Sequence, residues 1–475
     1  MGYPRAPMRA SPPDLPGSST HDSPIDRALT LLLADEREAA LRWAAAVVEQ
    51  DASVSSALIL TCRLLAEAGR TEAATEGFRL SIKRAVDAGN LPLAVAGVGD
   101  LRALGVDVSD HLDAIAEAFC MGSQRLADTQ SLPPPPLPQE ESFQPLSSFL
   151  AGPALLSKAT EIIHEARQQY ESLEQSAPPL ISAVPLFSQL EKGGLRALIG
   201  AFEMITVPAG KAVIEEGQEG AEAFIVARGE LEVRRQGSED GSSPASSERL
   251  LGAARNRTPV TLARLANGAL FGEMALLSRA PRAASVVACR PSILLMARRD
   301  ALEAVAAERP DVGIELAAHC RRRMVANLVR TSRVLINVDP QERPALVERF
   351  ETRVFEKGEK LIAVGQDPSG LHLIASGEVA VVGEDGGESF VISTLGVGEV
   401  VGEVALVLRR KANADVVAVH PTVTLHLPRE DFLALIADHP AILLSLYTLA
   451  LQRDDETASV LATSTTNLSD DYVLV

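Results

Sequence analysis

PAGKAVIEEGQEGAEAFIVARGELEV (208–233) and EKGEKLIAVGQDPSGLHLIASGEVAV (356–381) are two copies of one pattern. Gly210, Gly217 and Gly229 recur as Gly358, Gly365 and Gly377, each 148 positions later. Downstream the offset falls: Gly272-Glu273 recurs as Gly402-Glu403, and Pro310 as Pro440, 130 positions later. The first copy therefore holds an 18-residue insertion. The Ser/Gly/Pro-rich stretch 237–258 is its expected place, since lengthening a loop tip costs little closure entropy. Within each copy, short apolar runs are punctuated by glycines. In the first, 224–227 and 231–233 read as strands of a hairpin around Arg228-Gly229-Glu230, with Leu231 and Val233 on one face and Glu230 and Glu232 on the other. Such spacing predicts an antiparallel roll of jelly-roll type. Each copy ends in helices, expected at 299–308 and 312–330, then at 430–438 and 441–461.

Outward from the repeat, the chain changes character. Residues 1–24 are rich in Pro, Ser and Gly and read as disordered. From 25 to 125, Ala and Leu recur at spacings of three and four, with breaks near Asp51, Gly69, Gly89 and Gly105, which predicts antiparallel helices. LAEAGRTEAATEGFRLSI (65–82) resembles a tetratricopeptide helix pair, with Ala73, Ala74 and Phe78 on its second helix; an unspecific bundle is the alternative. SLPPPPLPQE (131–140) marks a Pro-rich linker at 126–152, and a connecting helix is expected within 153–179. The fold class is thus multidomain α + β: an N-terminal α-helical repeat or bundle, then two antiparallel β-roll domains with flanking helices, at 180–333 and 334–463. Residues 464–475 form a tail.

FGEMALLSRAPRAASVV (271–287) carries the chemistry. Gly272 lets backbone approach a ligand closely. Glu273 offers a carboxylate to a sugar hydroxyl. Residues 274–277 read as a helical turn whose N–H groups favour an anion. Arg282 supplies a planar cation that matches two phosphate oxygens, and Ala283 and Ala284 add no bulk beside it.

This stretch resembles the phosphate-binding cassette of the cyclic nucleotide-binding domain family, found in protein kinase A regulatory subunits, cyclic-nucleotide-gated channels and catabolite activators. The upstream glycines fit the β-roll of that family. The resemblance implies that Arg282 pairs with the cyclic phosphate, Glu273 with the ribose 2′-hydroxyl, and that backbone N–H groups at Ala275 and Ala283 complete the cradle. The ligand-binding set is Gly272, Glu273, Met274, Ala275, Arg282 and Ala283. A Thr after the arginine tends to favour cGMP in this family, so Ala283 implies cAMP as ligand, ahead of cGMP.

The second copy, VGEVALVLRRKANADVV (401–417), keeps Gly402, Glu403, Ala405 and Leu406. Without gaps, Ala412 stands at the arginine position and Asp415 at that of Ser285. It reads as a degenerate, structural domain. A weak second site would use Gly402, Glu403, Ala405 and Lys411, with Arg410 the other displaced cation.

Composition bounds what else is expected. The 475 residues carry a formal net charge of −18, so nucleic-acid binding would need a local basic element. Arg321, Arg322 and Arg323 form the clearest one and read as a solvated helix face. No GxxxxGK[ST], HExxH or GxSxG motif occurs, no histidines show metal-ligand spacing, and the four cysteines form no CxxC pair. Neither catalysis, a metal nor a cofactor is expected. No apolar leader is present, and the apolar run 441–451 is too short to span a bilayer; the expected location is cytoplasmic. Too few residues follow the last helix for a helix-turn-helix. The linker holds no Arg-Arg-x-Ser/Ala inhibitor segment. The order of parts is similar to that of kinase A regulatory subunits: a non-catalytic cAMP sensor acting on a protein partner through its N-terminal helices. The alternative is a scaffold whose rolls bind no ligand.

Overall fold

Alternation inside the strands of each copy sorts residues onto two buried faces, and in the first copy both are apolar. In the first copy, Phe224, Val226 and Leu294 turn inward with Phe271, while Ala223, Ile225, Ala227, Ile293, Leu295 and Ala297 turn outward onto helices. A strand buried on both faces must be covered on both sides. The computed structural model describes residues 23–127, 144–173, 178–236, 259–273, 281–331, 346, 349–385 and 388–467. Strands β1 (Glu203–Val207), β2 (Ala212–Ile214), β3 (Glu222–Arg228), β4 (Leu231–Gln236), β5 (Pro259–Leu265), β6 (Leu270–Phe271), β7 (Ser285–Ala288) and β8 (Ser292–Arg298) form the first roll. Its two antiparallel sheets run β1-β8-β3-β6 and β2-β7-β4-β5. The second roll repeats the plan with β9 (Glu351–Phe355), β10 (Lys360–Ile362), β11 (Gly370–Ser376), β12 (Val379–Asp385), β13 (Glu388–Leu395), β14 (Val400–Val401), β15 (Asp415–Ala418) and β16 (Thr422–Pro428). Its sheets run β14-β11-β16-β9 and β10-β15-β12-β13.

One correction concerns the expected hairpin. β3 and β4 are consecutive but lie in different sheets. The chain changes sheet at Gly229, whose φ is +123° and where a Cβ would sit 2.1 Å from Ser292 Oγ. Gly377 turns the same corner against Thr422. The turn residues were legible, but which strands they join was not, because a sheet corner and a hairpin share the same glycine.

Helices α1 (Pro24–Leu33), α2 (Arg37–Gln50), α3 (Ser55–Glu67), α4 (Thr71–Asp87), α5 (Leu91–Ala103) and α6 (Ser109–Phe119) precede the rolls. Ser23 and Pro24, expected to be disordered, begin α1: Ser23 Oγ accepts the Asp26 N–H at 3.2 Å. The rest of that expected disorder, 1–22, lies outside the described residues, as does the core of the Pro-rich linker, 128–143. The described ends of that linker are tied down. Leu126 bridges Ile181, and Leu146 is buried and donates its N–H to Arg42 O at 3.2 Å. Helix α7 (Gly152–Leu173) is no connector: it buries Leu155, Ala159, Ile162, Ile163 and Ala166 and packs on α2 and α4. The approach is close because Gly77 lacks a Cβ, which would sit 2.2 Å from Cys62 Sγ and 3.1 Å from Ile163.

The helical unit is not a separate body. One continuous apolar core runs from Ile25 through α1–α7 and α8 (Lys192–Gly200) to the outer faces of β3 and β8. Polar contacts reinforce the seam. Buried Asp26 lies 2.7 Å from Arg228 and 2.7 Å from Arg290 Nε. Arg63 pairs with Asp100 at 3.0 Å and reaches Met204 and Thr206 on β1.

Helix α9 (Arg299–Glu308) follows the first roll, then α10 (Pro310–Thr331). The two ends of α10 enter different cores: Val312 joins the first, while Met324, Val325 and Leu328 join the core of the second roll. After the second roll come α12 (Arg429–Asp438) and α13 (Pro440–Asn467), with the short α11 (Glu403–Val407) inside the cassette. The expected insertion at 237–258 lies outside the described residues. Of the expected tail, residues through Asn467 continue α13 and 468–475 lie outside. Among the described residues, no single helix is long and apolar enough to cross a membrane.

Candidate functional site

Arg282 emerges just before β7, and backbone pairing fixes its height. Its N–H donates to Gln218 O at 2.8 Å, and its carbonyl accepts the Gly217 N–H at 2.8 Å. The guanidinium then runs inward. Nη1 donates to Gly272 O at 2.9 Å, and Nη2 to Glu222 O at 2.9 Å and to the Glu222 carboxylate at 3.3 Å. Its side chain is 8% exposed, and burial pulls its pKa down against the opposing pull of Glu222. Space for the group comes from Gly220, where a Cβ would lie 2.4 Å from Arg282 Nε. At Gly272, φ +77°, a Cβ would lie 3.1 Å from Nη1 and 2.9 Å from Glu222 O. Ala283 is exposed and its carbonyl accepts Arg235 Nε at 3.2 Å. Met274 and Ala275, the other residues read into this site, lie outside the described residues.

Glu273 does not pair directly with Arg282. Its buried carboxylate lies 3.3 Å from Arg323 Nε on α10, and Arg323 also donates to Leu270 O. Burial pushes the Glu273 pKa up, and the Arg323 charge opposes the rise. Cys320, one turn earlier on α10, lies with its sulfur 3.9 Å from Glu273 O. The Arg321–Arg323 cluster is therefore only in part a solvated face, at Arg322. Arg321 donates to Phe350 O, Arg322 pairs with Glu315 at 2.6 Å, and Arg323 grips the cassette.

The second cassette preserves this latch. Arg453 on α13 pairs with buried Glu403 and donates to Val400 O. Leu270, Glu273 and Arg323 recur as Val400, Glu403 and Arg453, each 130 positions later. Burial raises the Glu403 pKa, and Arg453 is the main opposing charge. Gly402, at φ +92°, caps α11, and Ala405 is buried in it.

The cradle, by contrast, is dismantled. Ala412 makes the same backbone pairings as Arg282: its carbonyl accepts the Gly365 N–H at 2.8 Å and its N–H donates to Gln366 O at 3.0 Å. The gap-free alignment is thus the structural one. Pro368 stands where Gly220 leaves room, and Gly370 stands where Glu222 supplies the carboxylate. Neither displaced cation compensates: Arg410 pairs with Asp454, and Lys411 is exposed. Asp415 does not act as a bare negative charge in the site. It takes over the Ser285 role, accepting the Val364 N–H at 2.8 Å as Ser285 Oγ accepts that of Glu216 at 2.9 Å, and Lys360 pairs with it at 2.7 Å. Those contacts hold its pKa down against burial.

Glu222, Gly220 and Arg323 escaped the reading of the sequence. Arg323 had a signal: Glu273–Arg323 and Glu403–Arg453 share a separation of 50 residues. Among the described residues, no group of three or more His, Cys, Asp or Glu side chains could hold a metal ion.

Comparison with known proteins fits this geometry. Residues 204–309 and 352–439 match the family described as the cyclic nucleotide-binding domain, so the chain carries two such domains in tandem. It is 30% identical over 240 residues to a cAMP-dependent protein kinase regulatory subunit of Yarrowia lipolytica, covering 50% of this chain and 54% of that one. A protein of the same description from Schizosaccharomyces pombe is 30% identical over 235 residues, covering 49% and 53%. The chain thus spans about half the length of the curated relatives it matches. Among solved structures, the regulatory domain of Toxoplasma gondii PKA with cAMP is 23% identical, covering 56% of this chain and 92% of that one at a TM-score of 0.27.

Proposed function

We propose that the chain is a non-catalytic cAMP sensor in which the first roll binds ligand, the second is structural, and a protein partner reads the result. One observation carries this reading: Arg282 is held in a purpose-shaped cradle by Gly220, Gly272 and Glu222, and the second roll lacks the arginine and two of those three supports. A cyclic phosphate would meet the guanidinium, and the ribose hydroxyl would meet Glu273. cAMP is preferred over cGMP in this reading because Ala283 follows the arginine.

The latch supplies a route for the signal. A ligand acts on conformation only through different affinity for two states. A hydroxyl donating to Glu273 competes with Arg323 for the same carboxylate, and Arg323 sits on α10. The two ends of that helix serve different cores, so loosening Arg323 shifts the balance between the rolls. The matched relatives are named as kinase regulatory subunits, which makes a kinase catalytic subunit the first partner to test. The division of the chain into helices at 25–125 and rolls at 180–333 and 334–463 belongs to this reading, as do the tetratricopeptide likeness and a cytoplasmic location.

The test is calorimetric titration of the full chain with cAMP and cGMP, beside Arg282→Ala. One binding site per chain, lost in the variant, supports the reading. No binding of either nucleotide to wild type at millimolar concentration refutes it and favours the scaffold reading.

A further inference from the structure

The interiors of the two rolls differ at three matched positions. In the first, Phe224 stands opposite Met296, Val226 opposite Leu294, and Phe224 stacks on Phe271 with ring centroids 5.2 Å apart. In the second, the same registers place His372 opposite His426 and Ile374 opposite Thr424. Phe224, Leu294 and Met296 have thus become His372, Thr424 and His426. These three are 4%, 0% and 5% exposed.

The cluster is compact. The two imidazoles lie with centroids 4.4 Å apart, His372 Nδ1 is 3.1 Å from Thr424 Oγ1, and His426 Nε2 is 3.4 Å from Ser369 Oγ. His372 Nε2 and His426 Nδ1 are buried without a hydrogen-bond partner. The surroundings favour the neutral pair. β9 presents Arg353, opposite Thr424, and Glu351, opposite His426 with its carboxylate 3.9 Å from Nδ1. β14 presents Val401 opposite His372, and Phe355 sets its ring edge against His372. Glu351 is the one charge there that would welcome a proton, and its side chain is half exposed.

We propose that the second roll is an acid-sensitive module: proton uptake by the His372–His426 pair loosens the β9-β16-β11-β14 sheet, while the first roll, apolar at those positions, stays closed. Two charged rings at this separation repel, and neither has water to spread its charge. Burial holds His372 down to about 3 and lowers His426 as well. Both groups therefore bind protons more weakly folded than unfolded. Their contribution to stability is intact above the ordinary histidine pKa and is lost as pH falls below it.

Hydrogen exchange of the β11 and β16 amides in the full chain tests this, with intrinsic rates corrected for pH. Between pH 7.5 and 5, the opening equilibrium of that sheet rises about 30-fold for each histidine that must charge, taking an ordinary pKa of about 6.5, and β3 and β8 change little. Replacing the pair with the first roll's residues, His372→Phe with His426→Met, removes the rise. Equal protection of β11 and β16 at both pH values overturns the proposal, as does an unchanged rise in the double variant. If that variant fails to fold, imidazole NMR titration of wild type decides: midpoints near 6.5 for both rings in the folded protein overturn it, and midpoints well below support it.

Discussion

The two rolls share a backbone plan, a latch and a corner glycine, yet differ inside. Both hold a buried cassette glutamate against an arginine 50 residues later. Only the first holds a cation where a cyclic phosphate would lie. In the function proposed above, the latch therefore belongs to the architecture and the cradle to the ligand. The latch residues and the cassette glycine persist in both copies; the arginine and the two groups that make room for it and pair with it, Gly220 and Glu222, are absent from the second.

Four substitutions break or sharpen this contrast. Arg453→Met leaves Glu403, 1% exposed, without its counter-ion. Breaking a buried pair in this way costs about 3–5 kcal/mol, so urea unfolding of the second roll shifts far to lower denaturant, and adding Glu403→Gln recovers most of the loss. Arg282→Ala removes the cation proposed to meet the phosphate, a loss on the order of 2–5 kcal/mol, or ~30-fold and more in cAMP affinity; the apo protein stays folded but melts lower, because Gly272 O and Glu222 O lose their donor. Gly220→Ala forces the guanidinium aside, since its Cβ would lie 2.4 Å from Nε; about tenfold weaker binding is expected in calorimetry, a loss near 1.4 kcal/mol. Ala412→Arg has the smallest effect. It restores the cation but neither the room of Gly220 nor the carboxylate of Glu222, so titration still finds one site. A second site appearing in that variant would show that the arginine alone separates the rolls.

Much of this contrast was legible in the residues. Two offsets, 148 and 130, aligned the rolls and placed Ala412 against Arg282, because glycines at strand corners cannot drift without breaking the backbone plan. Helix breaks were legible for a similar reason: α2 ends at Gln50, α3 at Glu67, α4 at Asp87 and α5 at Ala103, each beside a predicted break. What stayed hidden was partnership across space. Glu222 reads as an ordinary strand carboxylate until Arg282 is seen against it. Arg323 reads as one of three solvated arginines, since helical periodicity says which residues share a face but not what that face meets. The outward Ala223, Ile225 and Ala227 announce a cover over β3, but nothing local says that the N-terminal helices provide it.

Helix α10 also decides how the molecule can be dissected. Val312 belongs to the first core, and Met324, Val325 and Leu328 belong to the second. A fragment that stops short of this helix strips Arg323 from Glu273, and one that begins after it removes the floor of the second roll. A fragment beginning at the first roll leaves the outer faces of β3 and β8 wet. The repeat that is plain in one dimension is therefore no guide to where the chain can be cut.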